Sequence, residues 1–370
     1  MQVQAVCGSL GESPPDVMSE LEPDSLADHS SAIAAEAEPY PILGKILLSQ
    51  IDALIGLRRR VLRTDEPEAI HKMRVATRRL QASLDLLQTR DGGLGGGKIN
   101  AAVGKVKKRL RRSRRALAKV RNADVFLGLI SDYSPKSVEA KARRFELLTS
   151  ILRGKRERNS EKSRLYLDAH GFSETAALLE LTPALSPNPD SSGSLISDAA
   201  DLSQPALQSV LPAATTLLNP IGIRIAAAGR LERRLAEFHA LALAAHPASA
   251  PIELHKVRIA AKKLRYLLEL ISMMGIADPA REIGWLRHLQ DKIGDWHDLH
   301  AIEEEIIKIV TRRNFARKHV PDCADMLALA ARFRRKKAPL ARSIFPIKPP
   351  RSLDVAVKRL AKRLHREVGS

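Results

Sequence analysis

Two segments of the chain place the same potentially ligating side chains at the same spacing. Residues 70–80 read Ile-His-Lys-Met-Arg-Val-Ala-Thr-Arg-Arg-Leu, and residues 254–264 read Leu-His-Lys-Val-Arg-Ile-Ala-Ala-Lys-Lys-Leu. His71, Lys72, Arg74, Arg78 and Arg79 thus have His255, Lys256, Arg258, Lys262 and Lys263 as counterparts, at a constant offset of 184 residues. Guanidinium and ammonium groups suit phosphate oxygens, and the planar arginine fork can hold two of them at once. A third basic cluster, residues 105–121, contains Lys105, Lys107, Lys108, Arg109, Arg111, Arg112, Arg114, Arg115, Lys119 and Arg121 and no acid. Like charges three and four residues apart destabilise a helix, so this segment calls for an anionic counterpart.

On a helix of about 100° per residue, Met73, Thr77, Leu80, Leu84 and Leu87 share one side, and the basic residues take the other. The second copy repeats the division, with Val257, Ala261, Leu264, Leu268 and Ile271 inside. An ordinary solvated face mixes signs; here no carboxylate interrupts either cluster. Val75 and Ile259 lie within the basic faces and predict that both faces are partly covered. In residues 105–121 the apolar stripe is Val103, Val106, Leu110, Leu117 and Val120.

The repeat extends beyond these helices. Pro67 matches Pro251, and Asp85 matches Glu269. Downstream, residues 117–124 (Leu-Ala-Lys-Val-Arg-Asn-Ala-Asp) resemble residues 293–300 (Ile-Gly-Asp-Trp-His-Asp-Leu-His), and Arg287 and His288 stand where Arg111 and Arg112 stand. Apolar periodicity predicts helices over 46–61, 67–87 and 99–130, with a break at 91–97, where Asp is followed by Gly-Gly-Leu-Gly-Gly-Gly. Helical patterns resume at Ile221 and break near Pro247 and Pro251, at Pro279 and at Pro349–Pro350. No strand alternation with hairpin turns is present. The expected organisation is all-α: an acidic disordered tail over 1–40, one helical bundle over 41–181, a Pro/Ser-rich linker over 182–220 and a second bundle over 221–370.

Composition narrows the partner. Residues 1–40 hold eight acidic residues and no Lys or Arg, so the rest carries 61 basic against 34 acidic side chains, a net +27. A body so basic repels itself unless an anion offsets it. Cys7 and Cys323 are the only cysteines, which leaves no disulfide framework. No secretory pattern or membrane-length apolar run is visible, so a soluble, cytoplasmic protein without membrane insertion is expected. No cofactor is implied. The repeat histidines admit three readings: phosphate ligand, metal ligand, or helix-terminus residue bonded to backbone. His297, Asp298 and His300 suggest a metal, but the first copy offers Arg121, Asn122 and Asp124 there, which is no metal set.

These motifs resemble the CHAD family, the conserved histidine α-helical domain. Its His-x-x-Arg-φ-x-x-(Arg/Lys)-(Arg/Lys)-Leu helix is matched by residues 71–80 and 255–264, the latter followed by Arg265 and Tyr266. Its Leu-Gly-x-x-Arg-Asp-x-Asp-Val element resembles residues 117–125, with Ala118 for Gly and Asn122 for Asp, and a second version stands at 289–298. The resemblance implies two pseudo-symmetric antiparallel four-helix bundles with a basic cavity between them. It also implies binding of inorganic polyphosphate and association with polyphosphate granules. Many relatives carry an N-terminal triphosphatase (CYTH) domain with a Glu-x-Glu-x-Lys motif. Residues 1–40 contain none, so the resemblance is to a stand-alone member, and hydrolysis is not implied. Gln81, where the second copy has Arg265, departs from the repeat and is expected to weaken one contact.

The residues expected to bind polyphosphate are thus His71, Lys72, Arg74, Arg78, Arg79, Lys105, Lys108, Arg111, Arg112, Arg115, Lys119, Arg121, His255, Lys256, Arg258, Lys262, Lys263, Arg265, Arg287 and His288. The first half is the more cationic along 105–121, so the site should be asymmetric. Non-specific nucleic-acid binding is the first alternative, but aromatic residues total 13 and none lies in 105–121, which argues against a base-stacking platform. A polyphosphate-processing enzyme is the second; phosphoryl transfer needs metal ions and placed carboxylates, and no P-loop is present. A membrane-surface role lacks an aromatic insertion face beside the basic helices.

Overall fold

A computed structural model describes residues 39–88, 96–133, 145–169, 220–247 and 250–366. The expected acidic tail and the linker at 182–220 lie almost wholly outside these residues. The described chain forms eleven helices and no strand: α1 (Pro39–Arg63), α2 (Pro67–Leu87), α3 (Gly96–Ala116), α4 (Ala118–Tyr133), α5 (Glu146–Ala169), α6 (Pro220–Ala244), α7 (Ala250–Met273), α8 (Ala280–Val310), α9 (Arg313–Lys318), α10 (Val320–Ile344) and α11 (Arg351–Arg366).

Prolines set several starts. Pro67 occupies the first turn of α2, where its missing N–H costs nothing, and Pro251 does so in α7. Pro279 and Pro350 directly precede α8 and α11. Gly275 closes α7 with a φ of 70°. Its N–H donates to Ser272 O at 2.9 Å, and Ile276 N–H donates to Ile271 O at 3.3 Å, a pattern that satisfies the last carbonyls. Two expectations need correction. Gly96 and Gly97 belong to α3 rather than to the break. The helix expected over 99–130 is interrupted at Leu117, which divides α3 from α4.

The buried residues form two clusters that do not follow the halves of the chain. The larger joins α1, α2, α3, α6, α7 and α11 with Leu286, Leu289, Ile293 and Trp296 of α8. The smaller joins α4, α5 and α10 with Leu299, Ile302, Ile306 and Ile309 of the same helix. At 31 residues, α8 is about 46 Å long and runs through both. The apolar faces expected for α2 and α7 are buried as read.

The repeat is also written in burial. Leu43, Gly44, Leu47, Ile51 and Leu54 of α1 are buried, as are Ala227, Ala228, Leu231, Leu235 and Phe238 of α6, again 184 residues on. Along α3 and α4, Leu110, Ser113, Leu117, Val120, Ala123, Phe126 and Ile130 are buried; at an offset of 176, so are their counterparts from Leu286 to Ile306 in α8. The eight residues by which the offsets differ enter between α2 and the body of α3, where the glycine-rich segment stands.

α2 packs against α7 as well as against α1, α3, α4 and α6. This contact brings the two His-containing helices together. Core packing gives a direct test. Phe238 is fully buried and meets Trp285 edge-on at 6.1 Å, whereas Leu243, five residues on, is 90% exposed. Phe238→Ala is expected to cost about 3–5 kcal/mol in denaturant unfolding. Leu243→Ala is expected to stay within about 0.5 kcal/mol.

Candidate functional site: a shared cationic centre

At the α2–α7 contact, cations converge from both repeats. Arg74 and Arg78 come from α2, Arg114 from α3, Arg121 from α4, and Arg258 and Lys262 from α7. Arg74 donates from Nη1 to the carbonyl of Arg114 at 2.6 Å. Burial, then the charges of Arg78, Arg114, Arg121 and Arg258, pulls Arg74 down to about 10. Arg114 falls to about 10 as well, through burial first and then Arg78 and Arg111. Lys262 is displaced most, to about 6, by burial and then by Arg258, Arg78, Arg265 and Arg74. Each charged form here is disfavoured by lost hydration and by its neighbours.

Arg258 is the exception in having carboxylates near. Burial lowers it, while Asp298 and Asp291 of α8 act the other way. Its Nε is buried with no hydrogen-bond partner among the described residues. Gly294 makes room for it: a Cβ on Gly294 would lie 3.0 Å from Arg258 Nη2. This explains why Gly follows Ile293 in the second copy. In the first, where Ala118 stands, Arg74 bonds to the Arg114 carbonyl instead.

The two histidines flank this centre. Burial lowers the His71 pKa, with Arg121 next in weight; burial lowers that of His255, with His297 next. The His255 and His297 rings are 6.0 Å apart between centroids. Both shifts favour the neutral imidazole near pH 7. His300 lies elsewhere, stacked on Trp296 with Lys337 at 3.2 Å from its Nδ1. The Asp124 position serves structure: its carboxylate accepts from Arg156 Nε at 2.6 Å.

The departure at Gln81 is not a loss. Arg114 Nη1 donates to Gln81 Oε1 at 3.0 Å, and in the second copy Arg265 Nε donates to Gln290 Oε1 at 3.1 Å. Gln290 is the counterpart of Arg114 at the 176-residue offset. Arginine and glutamine have exchanged helices, and the pair survives. Arg114, which sequence reasoning did not select, is thereby a member of the centre.

Other expected residues lie apart. Arg79, Arg265 and Arg287 gather round Glu269, with Arg79 and Arg287 at 4.0 Å and Arg265 in a short ion pair. Arg265 also lies 4.5 Å over the Tyr266 ring. Lys72 is exposed, 3.9 Å from Glu68. Lys105, Lys108, Arg112, Lys119, Lys256 and His288 are exposed side chains, and Arg115 is exposed within reach of Arg114. Lys263 pairs with Glu237 at 2.9 Å. The covering expected over the basic faces holds for Val75, which is half-buried, and not for Ile259, which is exposed.

An all-α chain with a duplicated histidine–arginine helix pair meeting at one cationic centre defines a class of helical domain. The sequence profile of the CHAD domain matches residues 45–306, and the chain belongs to that family. Among solved structures it is similar to the crystal structure of the CHAD domain from the plant Ricinus communis. The match has 17% identity, covers 84% of this chain and 95% of that one, and has a TM-score of 0.51. No curated protein matches the chain. No described helix is long and apolar enough to cross a membrane.

Gly294 supplies the test of this geometry. Gly294→Ala is expected to displace the Arg258 guanidinium and weaken polyanion binding about tenfold. Gly284→Ala, in the same helix with nothing within 4 Å, leaves binding unchanged. Titration of both variants with one polyanion checks the contrast.

Proposed function

We propose that this chain binds inorganic polyphosphate without catalysing its turnover, in the cytoplasm and in association with polyphosphate granules. The carrying observation is the convergence of Arg74, Arg78, Arg114, Arg121, Arg258 and Lys262. These come from both repeats, and the carboxylates of α8 that bear on them, Asp291, Asp295 and Asp298, act on Arg258. A phosphate polymer supplies negative charge at every monomer, with no bases to be stacked, which fits a centre built from cations. The reading extends to the two halves as pseudo-symmetric four-helix bundles facing across this centre. Membership of the CHAD family supports it.

Three outcomes are expected. Affinity for labelled long-chain polyphosphate should fall steeply with salt: about −0.7 in log affinity per log salt for each contact gives a slope near −4 for six contacts. A slope near zero would count against the reading. Polyphosphate should displace DNA at much lower phosphate concentration than the reverse; the opposite order would favour nucleic acid. Purified protein with magnesium should release no phosphate.

Substitution localises the binding. Arg74→Glu with Arg258→Glu is expected to lower affinity about a hundredfold or more, since two charge-assisted contacts are reversed. Lys358→Glu with Lys362→Glu on α11 should cost little. Affinity should also depend on pH. Lys262 sits at about 6 in the free protein, and a bound polyanion favours its ammonium form, so binding takes up a proton. Affinity therefore falls as pH rises from about 7 to 9, where both histidines are already neutral. Lys262→Gln flattens this profile. A native profile that stays flat or rises with pH would refute the role of Lys262.

A further inference from the structure

Beyond the shared centre, a cavity of about 610 Å³ opens between α2, α3, α6 and α7. We propose that this cavity is a second anion site, built to take a compact oligophosphate group of two or three phosphates. Its volume falls in the ordinary range for small-ligand pockets.

The charges in it divide into two sets. Asp85 is taken by a short ion pair with Lys107, and Glu237 by Arg234 at 2.7 Å and Lys263 at 2.9 Å. Arg234 also reaches to 4.0 Å from Asp85, so these residues form a closed relay across four helices. Arg111, Arg230 and Arg233 also line the cavity, with no carboxylate in ion-pair distance among the described residues. Arg230 donates to the carbonyl of Gln88 at the end of α2 and to that of Ala226; Arg233 donates to the Gly229 carbonyl at 3.1 Å. Arg111 and Arg233 are left over, while Arg230 feels the opposing charge of Asp85; the set matches a compact, multiply charged anion. The relay carboxylates work against a weakly charged ligand, which gains too little from those guanidiniums to offset their repulsion.

The repeat shows that the fold does not require these arginines. α1 and α6 bury equivalent positions, yet Ile46, Ser49 and Gln50 of α1 stand where Arg230, Arg233 and Arg234 stand in α6. The equivalent place in the other half is closed by Glu269 with Arg79, Arg265 and Arg287. One of two matching places has therefore gained cations from an element outside both His motifs.

The cavity adjoins the shared centre through Gln81, which lines it and accepts from Arg114. Its occupant is either a free oligophosphate or the end of a chain whose body lies at the centre. The chemistry is the same, and the test separates the sources. Tripolyphosphate is titrated by calorimetry into the full chain, into Arg111→Gln/Arg233→Gln and into Arg74→Gln/Arg258→Gln. Arg111 and Arg233 are exposed, so their replacement leaves folding intact. The first variant should lose tripolyphosphate affinity about tenfold or more, and the second should change it less than about threefold. Equal affinity in the native chain and Arg111→Gln/Arg233→Gln, or no binding of tripolyphosphate at all, overturns the second site. Neither result touches long-chain binding at Arg74 and Arg258, which is measured separately. If the first variant also weakens long-chain polyphosphate, the occupant is a chain end; if it spares it, the occupant is free.

Discussion

The contact between α2 and α7 sets the terms for the rest of the molecule. Each helix carries arginines on the face that meets its neighbours, and packing the two together places like charges side by side with their hydration reduced. That arrangement opposes folding locally. It persists because the opposite faces of the same helices are filled with Leu, Ile, Val and Met in one continuous core. The apolar face holds the helices where their charges would not. The cations are thus positioned by the core rather than by one another, which is the meaning of preorganisation here.

Much of the fold is visible in the residues themselves. The buried face of α2 follows from the spacing of Met73, Thr77, Leu80 and Leu84, and Pro67, Pro251, Pro279 and Pro350 mark helix starts. The break at Leu117 left no comparable mark. Leu117 belongs to the apolar stripe, no proline or glycine stands beside it, and the periodicity runs through without interruption. The division of the core between two clusters is likewise invisible, because nothing in the spacing along α8 says that its first part will meet α2's neighbours and its second part α10.

The site was legible as a charge pattern and less so as a geometry. Arg74, Arg78, Arg258 and Lys262 follow from the repeat, since two copies of one face must share an environment if the helices meet. The exposed cations of α3 could not be separated from Arg114 by composition, because all are basic and sit within about three turns. Only the direction of each side chain distinguishes them. Arg230 and Arg233 escaped notice for a different reason: α6 carries no motif, and its acids Glu232 and Glu237 give it the mixed signs of an ordinary solvated surface.

The exchange of arginine and glutamine between Gln81–Arg114 and Arg265–Gln290 has a consequence for the history of the two halves. Each helix now complements its own neighbour and no longer its twin's. A chimera with the α7 sequence in place of α2 would set Arg265 against Arg114, two guanidiniums with no amide between them. The reverse graft would face Gln81 with Gln290, two amides with no guanidinium between them. The copies have become mutually dependent within each half and incompatible across them, so neither can serve as a spare for the other.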